Sequence, residues 1–380
     1  MSPRLATFVM FLVNGVVIGT WIAAIPGVKD GLGASGADFG LALLFGPIGA
    51  LVAQQVTGQL LVRVSSRRLL VVAALVFPWL VVLPVIAPSL PLLAASLFVF
   101  GYMNTTMDVT MNAHGIALED QAGTSIMSGL HGGWSLGGVI GALGIAGALF
   151  LGLEPRLAAA ITAVVMVLVV VWSARHLGTG SVRTEGASGL HLPTRAILPL
   201  AALVVLIAFV EGGLTDWGGV YLDLGVGAGE TLAAMAYAAL SLGLFVGRMG
   251  GDWAKDRIGS IRLTQWGMFL TGAAIALFLV FENPWVALLG MAVAGVGLAN
   301  TIPQIFGAAG RIPPGGPSLS AVFTALTMAF VLGPLIIGNT SDAVGISGAF
   351  WMLVVASIVV GLFVPRVKSA ETNPRFRREA

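Results

Sequence analysis

GYMNTTMDVTMNAHGIALE, residues 101–119, is apolar enough to enter a lipid bilayer, yet it carries Asn104, Asp108 and Asn112 at every fourth place. That spacing puts all three on one face of a helix. A membrane strand would need about ten residues of strict alternation, and the pattern is absent. Outward from this stretch, apolar segments recur along the chain, at 5–27, 38–61, 69–87, 91–115, 124–151, 157–176, 196–221, 231–250, 262–281, 284–308, 318–338 and 346–364. Each is about 20 residues or more, the length needed to cross roughly 30 Å of hydrocarbon. The first is too long for the apolar core of a signal peptide and lacks a small-residue cleavage pattern, so it reads as a retained span. The fold class expected is an all-α membrane protein of twelve transmembrane helices.

Composition agrees. Hydrophobic residues make up 57% of the 380 residues and charged residues 9%, with a mean hydropathy of +0.97. A soluble domain carries about 25% charged residues. No stretch is left for a soluble catalytic domain, and no nucleophile–base constellation is visible, so an enzyme is not expected. With no cysteine, a disulfide or thiolate metal site is excluded. The four histidines (His114, His131, His176, His191) show no ligand spacing with carboxylates, so neither metal nor cofactor is expected. A net charge of +2 with scattered basic residues does not suggest nucleic acid.

Lys and Arg set the orientation. With the N-terminus in the cytoplasm, only Lys29 and Arg156 of the nineteen fall outside. That is the positive-inside pattern, and one missed span would destroy it. Both termini are therefore expected in the cytoplasm. The hydrophilic, Gly/Ser-rich stretch GTGSVRTEGASGLHLPT begins at residue 178 and reads as a linker between two sets of six spans. The expected division is a bundle at 1–177, a cytoplasmic linker at 178–194, a second bundle at 195–365 and a basic tail at 366–380.

The two sets match at an offset of about 196 residues. Asn14 pairs with Glu211, Trp21 with Trp217, Asn104 with Asn300 and Asp108 with Gln304. Duplicated halves related by an axis along the membrane normal are a recurrent transporter architecture, with the solute between them.

The loops after the second and eighth spans carry a further signature. GQLLVRVSSRRL at 58–69 and DWAKDRIGSIRL at 252–263 resemble the Gly-x-x-x-Asp-Arg-x-Gly-Arg-Arg loop of the major facilitator superfamily. The second loop keeps Asp256, Arg257, Gly259 and Arg262, after Gly247-Arg248 and Gly251-Asp252. The first keeps Gly58, Arg63, Arg67 and Arg68 but has Val62 at the acidic place and Ser65 for the loop glycine. Residues 101–119 and IMSGLHGGWSLGGVIGA at 126–142 resemble the rhizopine-transport MosC-like group, related to the fucose:proton symporters. The resemblance implies a secondary active transporter, often proton-coupled, whose halves rock. It also implies a cytoplasmic gate of Arg63, Arg67, Arg68, Arg248, Asp252, Asp256, Arg257 and Arg262. Simple orientation signals are the other reading of those charges. Gly129, Gly133, Trp134, Gly137 and Gly138 resemble instead the fifth-helix pattern of drug:proton antiporters, with Trp134 in place of a proline.

A charge at bilayer centre costs about 2.5–3.5 kcal/mol on insertion scales, so buried carboxylates should face a cavity or a partner. Asp108 and Glu211 are the candidate proton carriers. Asp216, nearer the outer end, reads as solvated. The Asn104–Asp108–Asn112 stripe suits a hydroxyl-rich solute, or a hydrogen-bond zipper between helices. His131 could titrate near neutrality or simply pack. Trp21 and Trp217 could anchor at the interface or stack on a sugar ring. The solute-binding set expected is Asn14, Trp21, Asn104, Asp108, Asn112, His131, Trp134, Glu211, Trp217, Asn300 and Gln304. The function expected is proton-coupled symport of a sugar- or cyclitol-like solute across the cytoplasmic (inner) membrane, by a monomer whose partners are solute, protons and lipid. Proton-antiport export of drugs or metabolites is the alternative.

Overall fold

The computed structural model describes residues 1–123, 126–178, 194–195, 197–312 and 315–371, without the side chains of 122, 128, 252, 315–317 and 367–371. The linker expected at 178–194 lies almost wholly outside these residues, as does the tail beyond 371. All described regular structure is helical.

The first half holds α1 (Pro3–Gly31), α2 (Gly36–Leu43), α3 (Phe45–Arg63), α4 (Ser66–Leu80), the short α5 (Val82–Val85), α6 (Leu90–Ala122), α7 (Met127–Phe150) and α8 (Pro155–Ala174). The second holds α9 (Leu198–Val220), α10 (Glu230–Ile258), α11 (Ser260–Phe281), α12 (Pro284–Leu298), α13 (Thr301–Gly310) and α14 (Gly315–Glu371). Local chemistry sets the ends. Ser2, Ser35 and Asn283 accept from backbone N–H groups in the first turns of α1, α2 and α12. The Glu119 carboxylate, at the end of α6, accepts from Ile126 and Met127 N–H at 2.7 and 3.0 Å and so caps the start of α7.

Eleven described helical stretches are long and apolar enough to cross a membrane. The last, Ser318–Arg366, has 49 residues, about 74 Å of helix against roughly 30 Å of hydrocarbon. It breaks at Gly345, whose φ of 78° is cheap only for glycine. The chain therefore crosses twelve times, in two six-helix bundles. α14 also runs past Pro365 to Glu371, so helix extends into the segment expected to be tail.

Glycine seams hold each bundle together. A Cβ on Gly101 (α6) would collide with the Gly46 carbonyl of α3, and one on Gly295 (α12) with the Leu240 carbonyl of α10. Backbones at that approach exclude any side chain. The bundles meet where α7 packs on α10, α1 on α10 and α9, and α2 on α14. On the face opposite Met1, Asp342 of α14 accepts from Gly36 and Ala37 N–H at 2.7 and 2.8 Å, a carboxylate on the N-terminus of α2 in the other bundle.

Candidate solute site between the bundles

A cavity of about 380 Å³ lies between the bundles. Trp21 of α1 and Asn104 and Asp108 of α6 line one side, and Asp216 of α9 lines the other. Phe100 and Phe330 add aromatic wall. The volume falls in the range of small-molecule sites, about 300–1,000 Å³. A larger pocket of about 680 Å³ sits within the second bundle, on the face carrying Met1. It touches none of these residues.

Behind the cavity wall runs a hydrogen-bond network through three helices. Asn112 Nδ2 donates to Asp108 Oδ1 at 3.1 Å and to the Asp108 carbonyl at 2.9 Å. His131 Nε2 lies 3.1 Å from Asn112 Oδ1 and donates to it in the Nε2–H tautomer. Trp134 Nε1 donates to Asn14 Oδ1 at 2.8 Å, and Asn14 Nδ2 donates to Asn104 Oδ1 at 3.0 Å. The polar stripe of α6 is thus tied to α1 and α7 at two levels.

A cation from the second bundle closes this network. Arg248 Nη1 donates to Ser135 Oγ at 2.5 Å, and its guanidinium lies 5.6 Å from the Trp134 ring centroid. Ser135 Oγ in turn donates to the His131 carbonyl at 3.3 Å. Arg248 also interacts electrostatically with Glu211, without direct ion-pair contact. Arg248, grouped above with the gate residues, lies within α10, inside the span expected at 231–250, and the helix continues past it to Ile258.

The other expected site residues divide. Trp217 is fully buried, edge-on to Phe39 with ring centroids 6.2 Å apart. It packs, and does not line the cavity. Asn300 donates to the Gly247 carbonyl at 2.8 Å, joining α12–α13 to α10. Gln304 lines the larger pocket, with Arg262 and Arg311. The break at Ala299–Asn300 ends α12 and starts α13, and it turns these side chains from the course that α6 gives their mates.

The expected ion-pair clasp does not form among the described side chains. Arg63, Arg68, Asp256 and Arg262 are exposed and pair with no other described residue. At exposed helix ends water already solvates such charges, and pairing gains little. Arg257 lies 4.8 Å from the Trp253 ring centroid instead. Arg67 donates to the Ala174 carbonyl at the end of α8, at 3.5 Å, a helix-terminus contact inside its own bundle. The side chain of Asp252 lies outside the described residues.

Two members of the site escaped the sequence reading. Ser135 stands one turn beyond His131, a spacing that could have found it. Asp216 is a carboxylate within a span, which by itself argues for function.

Of the antiporter-like glycines, Gly133 faces Phe8 of α1, Gly138 faces Ser241 and Tyr237 of α10, and Gly137 joins a backbone seam with α1 that Gly141 continues. A Cβ on Gly137 would collide with the Leu12 carbonyl and one on Gly141 with the Val16 carbonyl, while Gly15 and Gly19 of α1 answer from the other side.

Known proteins resemble the chain over nearly its whole length. The chain is 28% identical to an uncharacterised MFS-type transporter of Yersinia pestis over 92% of its length and 91% of that protein's. It is 29% identical to the membrane protein MosC of Rhizobium meliloti, over 96% of this chain and 90% of that one. The crystal structure of the nucleoside transporter NupG superposes with a TM-score of 0.73 at 12% identity, covering 98% of this chain and all of that one, a likeness of fold. Residues 5–317 match the Major Facilitator Superfamily. The chain belongs to that superfamily and is a membrane transporter, not an enzyme.

Proposed function

We propose that this transporter carries a small polar solute, sugar- or cyclitol-like, by proton-coupled symport, alternating access at the cavity between its bundles. The observation that supports it is the cavity itself, where Asn104 and Asp108 face Asp216 across a space with aromatic walls. Paired amide and carboxyl groups recognise hydroxyls, and an aromatic face suits the apolar side of a ring. Asp108 and Glu211 carry the coupling protons. Asp108 borders the cavity and reaches the His131 network through Asn112. Glu211 answers the half-buried Arg248. The bundles at 1–177 and 195–365 rock about the site in a monomer held in the cytoplasmic membrane, with both termini in the cytoplasm, an orientation that the Lys and Arg distribution supports. The glycines of α7 suggest export by antiport, but packing on α1 accounts for Gly133 and Gly137 and packing on α10 for Gly138, which supports symport as the better reading.

The test is uptake into proteoliposomes under an imposed proton gradient. Wild type concentrates solute, and Asp108→Asn and Glu211→Gln do not. Unchanged accumulation and pH dependence in both variants would refute the coupling assignment.

A further inference from the structure

A backbone seam between α2 and α14 joins the two bundles on the face opposite Met1. Pro334, Gly338 and Asp342 supply it from α14, one turn apart, and Gly36 and Gly40 from α2. A Cβ on Gly40 would collide with the Pro334 carbonyl, and one on Gly36 with the Gly338 carbonyl. One on Gly338 would collide in turn with the Gly36 carbonyl. The seams of Gly101, Gly295 and Gly137 lie within a bundle, whereas this one crosses between bundles. About one turn further along, the same two helices line the cavity, with Leu43 on one and Phe330 and Thr327 on the other. The seam therefore roofs the cavity on that face.

The seam ends in a carboxylate. A helix leaves its first four N–H groups without a partner in the helix. In α2 the chain's own cap takes two of them: Ser35 Oγ accepts from Asp38 N–H at 3.1 Å, and the Ser35 carbonyl accepts from Phe39 N–H at 3.1 Å. The other two, of Gly36 and Ala37, donate to the two oxygens of Asp342 in the other bundle. No described cation pairs with Asp342. Lys29 of α1 donates to the Ala34 carbonyl instead. We propose that Asp342 is a latch: it holds the transporter closed on this face, and letting go of α2 is a step of each transport cycle. This rests on the rocking of the bundles in the reading above, and on neither the solute nor the coupling ion. Asp342 is exposed, so water replaces part of the lost contact when the latch opens. A carboxylate on an exposed helix N-terminus shifts an equilibrium by up to about fivefold. That is enough to bias two states and little enough to release in every cycle.

The chain has no cysteine, so cysteine pairs introduced into the full-length protein carry spin labels without background. Ile86→Cys with Trp285→Cys reports the face opposite Met1, and Val62→Cys with Ile258→Cys reports the other. All four side chains are exposed, and none lies in α2 or α14. Distances within each pair are measured by electron–electron resonance in nanodiscs. Asp342→Ala should raise the ratio of wide to narrow distances on the latch face by about fivefold, while the pair on the Met1 face draws together. Asp342→Asn keeps one acceptor oxygen without the charge and should fall between alanine and wild type. Asp342→Glu keeps the carboxylate and should stay near wild type. Should Asp342→Ala not fold, Asp342→Asn carries the test in the same direction. Wild-type distances in these variants, even with a lowered melting temperature, overturn the latch and leave the rocking reading standing. A shift in Asp342→Glu as large as that of the other variants overturns it too. A latch-face pair that widens while the Met1-face pair stays fixed defeats rocking, and the latch falls with it.

Discussion

Asn104 and Asn300 are matched by the sequence offset of 196, but the glycine seams below them (Gly101 on Gly46, Gly295 on Leu240) run at an offset of 194. Asn300 therefore stands two residues beyond Asn104's packing counterpart, and the two do different work. Asn104, on the unbroken α6, accepts from Asn14 and borders the cavity. Asn300, at the break between α12 and α13, donates to a backbone carbonyl of α10 and joins helices. Below them the packing is alike. Gly101 of α6 meets the backbone of α3, and Gly295 of α12 meets that of α10. The duplication is therefore exact enough for backbones but not for side chains. A close backbone seam admits no Cβ, whereas a polar side chain needs only a partner, and the partner can be a cavity, a water or a carbonyl.

The largest effects should fall on the shared feature. Gly101→Leu and Gly295→Leu each drive a side chain into a facing carbonyl. Overpacking of this kind costs about 3 kcal/mol or more, because backbone cannot yield as a side chain would. Both variants should lose most of their yield of folded protein and of their melting temperature in detergent. If one bundle tolerated the change, the seams would not be equivalent and the comparison would fail at its base.

The next effect should separate the bundles. Under a one-unit pH gradient, a one-proton symporter can hold about a tenfold solute ratio, worth about 1.4 kcal/mol. Asp108→Asn should reduce that ratio to the passive level while solute exchange continues. Gln304→Leu, at the position matched by sequence, should leave it unchanged, since Gln304 faces the pocket inside its own bundle. A coupling defect in Gln304→Leu would mean that the second pocket communicates with transport.

Much of this was legible in the sequence. Apolar length and the Lys/Arg asymmetry fix twelve crossings because the bilayer imposes both. The offset repeat locates paired positions because a helix repeats its geometry. Side-chain roles were less legible. Asn300 departs from Asn104 because of a helix break that Pro303 marks, since its missing N–H leaves the Ala299 carbonyl without a helical donor. The span expected at 231–250 already contains Arg248, but the loop motif just beyond it groups it with the gate, whereas in the structure it bonds Ser135 of α7 between the bundles. Asp216 seemed solvated from its distance along the span. Only packing shows that its turn of α9 borders the cavity.

Smaller effects sharpen the contrast further. Asn300→Ala removes one interhelical hydrogen bond, a loss of about 0.6 kcal/mol by measurements in membrane helices. It should lower thermal stability slightly and leave solute affinity alone. A shift in affinity without a shift in stability would move Asn300 to the site.

The smallest effect is expected at Trp217. Its repeat mate Trp21 borders the cavity, whereas Trp217 is sealed between Phe39 and the α2–α14 contact at Gly338. Its Nε1 is buried with no hydrogen-bond partner among the described residues. An unsatisfied buried donor costs about 1–3 kcal/mol. Trp217→Phe deletes that donor but leaves a gap where the larger ring stood, and the lost contacts oppose the gain at about the same size. The two nearly cancel, so stability should change by less than about 1 kcal/mol, and uptake should stay at the wild-type level. Trp21→Phe should reverse the pattern, with weaker solute binding at unchanged stability. If Trp217→Phe impaired uptake in a protein that still folds, Trp217 would belong to the transport path, and the division of labour between the two tryptophans would be wrong.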